Sequence, residues 1–146
     1  MSATGLEVFD KTLQTTHIWL DELMETVGPD RNLAWHVLGA VLRSLRDRLP
    51  AELAAHLGAQ LPLLVRGAYY DQYRPGHVPE RLHTDDEFLT YVASELGGTR
   101  PVNVREATRS VLQVLTHHVT PEQVAKVRRS LPKSIRELWL APGEAG

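Results

Sequence analysis

The chain has 146 residues, a formal net charge of −2 and 42% hydrophobic residues, which suits one domain with a well-filled core. It contains no cysteine, so disulfides, thiolate metal ligands and thiol catalysis are excluded. No apolar run approaches the roughly 20 residues that cross a bilayer, and the first residues lack a signal-like pattern. We therefore expect a soluble cytoplasmic protein without a membrane partner.

The first half of the chain predicts four helices, because its apolar residues recur with a helical period. Their expected ranges are 6–27, 31–49, 51–57 and 62–73. Gly28 and Gly58 are expected to end the first and the third of these helices. Residues 74–83 are rich in proline and glycine and predict a loop.

The second half repeats this order and adds clear helix-start signals. Thr84, Asn103 and Thr120 are each followed three residues later by Glu or Gln, which is the pattern of a capping box. No segment alternates β-branched and polar residues over a useful length, so no strand is predicted. Residues 141–146 consist of Ala, Pro, Gly and Glu and are expected to fray.

The two halves share a skeleton of Leu-Pro, an aliphatic residue, Arg and an aromatic residue. It stands at Leu61-Pro62-x-x-Val65-Arg66-x-x-Tyr69 and at Leu131-Pro132-x-x-Ile135-Arg136-x-x-Trp139. Apolar positions upstream correspond as well, and after a one-residue gap Trp19 aligns with Phe88. Preserved apolar positions are typical of two copies of one packing unit. The sequence thus predicts an all-α single domain, a helical bundle of two pseudo-twofold repeats at about 6–73 and 84–140.

Two stretches carry a resemblance to a known family. They are Leu61-Pro62-Leu63-Leu64-Val65-Arg66-Gly67-Ala68-Tyr69-Tyr70-Asp71-Gln72-Tyr73-Arg74-Pro75 and His83-Thr84-Asp85-Asp86-Glu87-Phe88-Leu89. Over nearly its whole length the chain resembles the bacterial family called domain of unknown function 2267. The resemblance implies an all-helical, twofold-repeated bundle in small bacterial cytoplasmic proteins, and no established activity. One departure is Gln72, which stands where a small residue such as Gly is expected and argues against a close backbone approach there.

A cluster of charged and aromatic residues at the end of the first repeat is the main candidate binding site. We expect it to contact a partner or ligand through Arg66, Tyr69, Tyr70, Asp71, Tyr73 and Arg74, together with His83. Arg donors beside aromatic rings can grip a carboxylate or a phosphate. A structural alternative is that Arg66 caps carbonyls or pairs with an acid between the repeats, since Arg136 occupies the corresponding position.

Metal, cofactor and catalytic sites receive little support. The seven histidines never stand three or four residues apart, the spacing that places two ligands on one helix face, so no metal and no cofactor is expected. No nucleophile elbow and no Gly-rich phosphate loop is present. A small enzyme or metal-binding protein that uses Arg66, Asp71 and a histidine remains an alternative.

Basic residues in the last two helices raise the question of nucleic acid. Lys126, Arg128, Arg129 and Lys133 fall within residues 121–140, where two short helices joined at Ser130 could imitate a helix-turn-helix. The slightly negative total charge favours a solvated basic face, so nucleic acid is only an alternative partner. Membrane binding is not expected, because the polar face of the first helix is acidic.

These observations favour a non-catalytic interaction or ligand-binding module over an enzyme. Its expected partner is an unknown protein or a small anionic ligand, and a homodimer is one possible form of the contact. The inter-repeat segment, from Arg66 through Pro75 plus His83, is the expected contact surface, with tyrosines of the kind that dominate interfaces.

Overall fold

The computed structural model describes residues 4–98 and 102–139. Within these residues the chain forms eight α-helices and no strand, so the all-α prediction is confirmed. The helices are α1 (Glu7–Val27), α2 (Arg31–Arg48), α3 (Ala51–Ala59), α4 (Leu63–Tyr70), α5 (Asp85–Leu96), α6 (Val104–His118), α7 (Pro121–Arg129) and α8 (Lys133–Glu137). None of them is both long and apolar enough to span a bilayer. The tail expected to fray, 141–146, lies outside the described residues.

The three side-chain caps predicted at helix starts in the second half are present. Thr84 and Glu87 make the complete reciprocal capping box at the start of α5. Asn103 accepts a hydrogen bond from the amide of Glu106 at 3.0 Å, and Thr120 caps α7 in the same way. Each cap satisfies an amide that the first helical turn leaves without a partner, which fixes where the helix begins.

Two helix ends differ from the sequence prediction. The fourth helix ends at Tyr70 rather than at residue 73, because Asp71 is non-helical and Gln72 has a left-handed φ of 58°. Gly58 does not end the third helix but lies inside it. A Cβ atom at Gly58 would stand 2.5 Å from the hydroxyl oxygen of Tyr70, so the glycine makes room for that ring.

Helix α2 lies at the centre of the bundle. It contacts α1 and α4 of its own half and α5 and α6 of the other half, while α1 also packs against α6. Its inward side chains Val37, Val41 and Leu42 are completely buried. The buried apolar residues of both halves form one cluster. Fully burying one aliphatic side chain contributes about 1.5–3 kcal/mol, so this shared core holds the two halves together.

The two Leu-Pro elements have similar local structure. Pro62 and Pro132 precede α4 and α8 with φ, ψ values of −59°, 154° and −57°, 155°. Arg66 donates from Nη2 to the carbonyl of Leu61, and Arg136 donates from Nη2 to the carbonyl of Leu131. These shared contacts agree with the proposed duplication, while the twofold relation of complete repeats stays a prediction.

Candidate functional site

A polar cleft of about 760 Å³ opens between α2, α5 and the segment that follows α4. From α2 it is lined by His36, Arg43, Arg46 and Asp47, and from α5 by Tyr91 and Glu95. From the connecting segment it is lined by Asp71, Gln72, Tyr73, Arg74, His77, Val78 and Glu80. Its wall is therefore rich in charge of both signs, in contrast to the apolar core beneath it.

Three consecutive residues at the end of α2 hold the connecting segment in place. Arg46 donates from Nη1 to the carbonyls of Tyr69 and Asp71, at 2.7 and 2.8 Å. The carbonyl of Asp47 accepts a 2.8 Å hydrogen bond from the amide of Glu80. Arg48 donates from Nε to the carbonyl of Leu82 at 2.8 Å. The segment is thus fixed at both ends against one helix and forms a defined wall of the cleft.

Arg46 and Asp47 form a buried charged pair at the base of this wall. Arg46 is only 3% exposed, and its Nε lies 2.8 Å from Oδ1 of Asp47. Its guanidinium also lies over the ring of Tyr73, 4.9 Å from the centroid. The other carboxylate oxygen of Asp47 accepts a 2.5 Å hydrogen bond from the hydroxyl of Tyr91. A buried charge is costly unless it is paired and hydrogen-bonded, and here both charges are.

The hydroxyl of Tyr91 is held in its protonated form. Burial is the largest cause that raises its pKa, followed by the hydrogen bond to Asp47 and by the negative charges of Asp47, Glu80 and Glu95. At neutral pH this hydroxyl therefore acts as a hydrogen-bond donor to Asp47. It connects α5 to α2 at the edge of the cleft.

The other charged side chains of the cleft differ in whether they have a partner. Arg43 is paired with Glu95 at 2.9 Å. His36, Arg74 and His77, by contrast, make no hydrogen bond or ion pair through their side chains within the described residues, and all three are exposed. These three side chains, unlike Arg43 and Arg46, are available to a ligand.

Gln72 holds a strained position in the cleft wall. Its φ of 58° is the left-handed conformation, which costs a residue with a Cβ atom about 1–2 kcal/mol. Glycine adopts this conformation without that cost, which gives a physical reason for the small residue expected at this position. Here the strain is tolerated because Arg46 holds the neighbouring carbonyl of Asp71.

Comparison with known proteins places the chain in a family. A family model described as "Uncharacterized conserved protein (DUF2267)" matches residues 16–138, most of the chain. The chain belongs to the DUF2267 family. Among curated proteins none matches this DUF2267 chain. The cleft lies entirely within the matched residues.

The predicted site residues of this DUF2267 protein are divided between several locations. Asp71, Tyr73 and Arg74 line the cleft. Tyr69 does not lie on the surface, because its ring is completely buried and its hydroxyl donates to the carbonyl of Ala54 at 2.7 Å. Burial also raises the pKa of Tyr69. Its expected role as a partner-binding aromatic is therefore corrected to that of a core residue.

Arg66 lies away from the cleft. Its guanidinium donates to the carbonyls of Gly58, Ala59 and Leu61 at 3.0, 3.2 and 2.9 Å, which caps the end of α3. This is the geometry of the structural alternative considered from the sequence. Arg66 lines a separate groove that includes His118, whereas Asp71 lines the cleft with His36 and His77.

Tyr70 and His83 also lie outside the lining of the cleft. Tyr70 is half-buried, packs over Gly58 and contacts the rings of Tyr69 and Tyr73. His83 is exposed, and its amide donates to Oε1 of Glu87 as part of the start of α5. Neither side chain shares the wall formed by Asp71, Tyr73 and Arg74.

The basic helices have a geometry unlike a helix-turn-helix. Lys126, Arg129 and Lys133 are exposed, whereas Nε of Arg128 is buried without a hydrogen-bond partner within the described residues. The second helix of the pair, α8, has only five residues. In a helix-turn-helix the recognition helix lies in the major groove, and α8, which has little more than one helical turn, is unlike such a helix.

The histidines do not form a metal centre in the described part of the chain, where no group of three or more His, Asp or Glu side chains has suitable geometry. His117 and His118 instead share one carboxylate. Nδ1 of His117 contacts Oε2 of Glu22 on α1, and Nε2 of His118 contacts Oε1 of the same carboxylate. His118 also stacks on Trp19, with the ring centroids 5.0 Å apart. These contacts join α1 to the end of α6.

Sequence reasoning missed the α2 side of the cleft. His36, Arg43, Arg46 and Asp47 were not among the candidate residues, nor were Tyr91 and Glu95 on α5. A signal was present at Arg46, which follows Leu42 by four residues and so falls on the apolar face of the helix. A charged residue on a buried face requires partners, but the sequence alone does not identify them.

Proposed function

We propose that the protein is a non-catalytic module that binds a small anionic ligand in the cleft between α2, α5 and the connecting segment. The observation that carries the proposal is the set of three cationic or potentially cationic side chains, His36, Arg74 and His77, that line the cleft without partners in the described residues. A guanidinium is the preferred protein group for carboxylate and phosphate. The volume of about 760 Å³ suits a small molecule.

The fixed walls of the cleft support binding of a ligand by a preformed site. Arg46, Asp47 and Arg48 hold the segment that carries Arg74 and His77, so these two side chains are presented from an ordered backbone. Preorganisation reduces the entropy lost on binding.

The proposed setting is the bacterial cytoplasm, because the cysteine-free composition suits a reducing compartment.

The free carboxylates of the cleft limit the kind of anion that fits. Asp71 and Glu80 make no side-chain hydrogen bond or ion pair within the described residues, and both line the same wall as Arg74. They oppose a multiply charged anion but can pair with an ammonium group on the same ligand. A singly charged or zwitterionic small molecule is therefore favoured.

The proposal is tested by titration with acetate, inorganic phosphate and glycine, followed by two-dimensional NMR of the labelled protein. We expect amide shifts of residues 71–80 that saturate, with glycine or acetate bound better than phosphate. Arg74→Ala removes one charge-assisted bond and is expected to weaken binding about tenfold. Arg81→Ala removes an equal charge from an exposed neighbour that does not line the cleft, and it should leave affinity unchanged.

Three results would argue against this function. Shifts that do not saturate, or that spread evenly over the surface, would mean that the cleft does not select these ligands. Equal weakening by Arg74→Ala and Arg81→Ala would indicate a general effect of net charge rather than contact in the cleft. Turnover of a bound probe, visible as new ligand signals, would favour the enzyme alternative.

A further inference from the structure

An apolar patch lies at the beginning of α1 and of α4, outside the lining of the polar cleft. Seven large apolar side chains are exposed in the described residues, and six of them belong to these two helix starts. They are Leu6, Val8, Phe9, Leu13, Leu63 and Leu64, with exposures of 39–58%. We call these six residues the α1–α4 patch. Exposed apolar residues scattered singly are normal, whereas their concentration in one place marks an interaction surface.

The two parts of the patch are neighbours in the fold. The amide of Leu64 donates to the hydroxyl of Thr12 at 3.4 Å, which places the start of α4 beside the second turn of α1. Val8 and Leu63 line the same groove, a cavity of about 410 Å³ with Trp19 and Leu61 in its wall. The patch therefore includes residues of both helices, which meet at the groove lined by Val8 and Leu63.

The first turns of α1 continue the buried face of the helix beyond the bundle. Phe9 stands seven residues before Thr16 and eleven before Leu20, and so it points to the same side of the helix. Thr16 and Leu20 are 6% and 5% exposed, whereas Phe9 is 47% exposed. The apolar stripe is thus covered in its second part and uncovered in its first part.

The fold itself does not require these apolar residues. The alignment of Trp19 with Phe88 also aligns Thr16 with Asp85, which is the first residue of α5. Because α1 begins at Glu7, it extends nine residues further toward the N-terminus than the aligned start of α5. The family match likewise begins at residue 16. In the second Leu-Pro element, Lys133 and Ser134 stand where Leu63 and Leu64 stand in the first. Corresponding positions are polar in one half and apolar in the other, although both helices form.

We propose that the α1–α4 patch is the interface of a homodimer, in which the patches of two copies face each other across a twofold axis. Six half-exposed large side chains present an area on the order of 500 Å². Complete contact between two such patches buries at most about 1,000 Å², which is the lower limit for a specific interface. An apolar surface is complementary to itself, as a twofold contact requires.

The charged residues near the α1–α4 patch do not oppose the approach of a second copy. The charged residues near the patch are the exposed Glu7 and Lys11 and the half-buried Asp10, which leave a net charge of about −1. A partner of strong opposite charge is therefore not indicated. The small apolar area predicts a reversible dimer of moderate affinity rather than an obligate one.

Sedimentation equilibrium of the purified chain from about 10 μM to 1 mM tests the interface. The double substitution Leu63→Lys, Leu64→Ser introduces the residues that the second half already carries at these positions, so the fold should tolerate it. It is expected to raise the dissociation constant of the dimer at least about tenfold. Ile18→Ser is the matched control, because Ile18 is 51% exposed but lies on the opposite side of α1.

A wild-type chain that stays monomeric over this range would overturn the proposal. A dimer weakened by Ile18→Ser and not by the double substitution would overturn it as well. The absence of cysteine allows a second test. Leu13→Cys should give covalent dimers with a short bismaleimide at concentrations where Ile18→Cys remains monomeric, and failure of Leu13→Cys to cross-link would contradict the interface.

Discussion

Arg46 is expected to be the most important charged residue for stability, and Arg46→Ala tests this. The substitution leaves the carboxylate of Asp47 without its charged partner and removes both hydrogen bonds to the carbonyls of Tyr69 and Asp71. Breaking a buried ion pair by removal of one partner costs about 3–5 kcal/mol. Because Tyr91 still donates to Asp47, we expect a loss in this range and not above it.

The measurement is equilibrium unfolding in urea, with thermal unfolding as a second observation. For a domain of this size, 1 kcal/mol corresponds to about 3–4 °C in Tm, so Arg46→Ala should lower Tm by roughly 9–20 °C. Arg43→Ala is the matched control on the same helix. The Arg43 and Glu95 side chains are 22% and 33% exposed, and such a pair contributes about 0–1 kcal/mol.

Equal effects of Arg46→Ala and Arg43→Ala on stability would contradict this prediction. That result would mean that the buried Arg46, with its two hydrogen bonds to backbone carbonyls, contributes no more to stability than the exposed ion pair of Arg43 does. Arg46→Lys provides a milder comparison, since it keeps the charge but cannot donate to Asp47 and to two carbonyls with a planar fork. It should fall between the wild type and Arg46→Ala in urea.

Two further predictions concern the walls of the cleft. Gln72→Gly relieves a left-handed φ of 58° but adds flexibility to the unfolded chain, so we expect a net gain of up to about 1 kcal/mol in the free energy of unfolding; a loss of stability in urea would contradict the assigned strain. Tyr91→Phe should lower this free energy by about 1–2 kcal/mol at neutral pH, because it removes the hydrogen bond to Asp47. Since the pKa of Tyr91 is raised by burial and by Asp47, its contribution is complete below the ordinary tyrosine pKa of about 10 and is lost as pH rises above that value. The variant should therefore lose stability less steeply than the wild type above about pH 10, and an unchanged slope would exclude this linkage.

Much of the fold could be predicted from local patterns. Thr84 and Glu87 form the expected capping box because both residues lie within one turn of the same helix. The end of α4 could not be placed in the same way. Gln72 takes a left-handed conformation next to a carbonyl that Arg46 holds from another helix, and a local pattern carries no information about such a contact.

The candidate site was predicted only in part, for a related reason. Asp71, Tyr73 and Arg74 line the cleft as part of the segment singled out from the sequence. Tyr69 and Arg66 belong to the same segment, but Tyr69 points into the core and Arg66 caps α3. Neighbouring residues on a helix face different directions, and which direction becomes the core is decided by the elements that pack there.

Local sequence patterns were sufficient to predict the helical class, most helix starts and the similarity of the two Leu-Pro elements, because these depend on contacts between residues a few positions apart. Tertiary structure alone decided that Arg46 holds a loop 23–25 residues away and that α5 supplies Tyr91, 44 residues distant, to the same site. It also decided that the apolar stripe of α1 is left uncovered at Phe9. Charged and apolar side chains acquire a role only when their distant neighbours satisfy them or leave them exposed, and those neighbours are set by packing rather than by spacing.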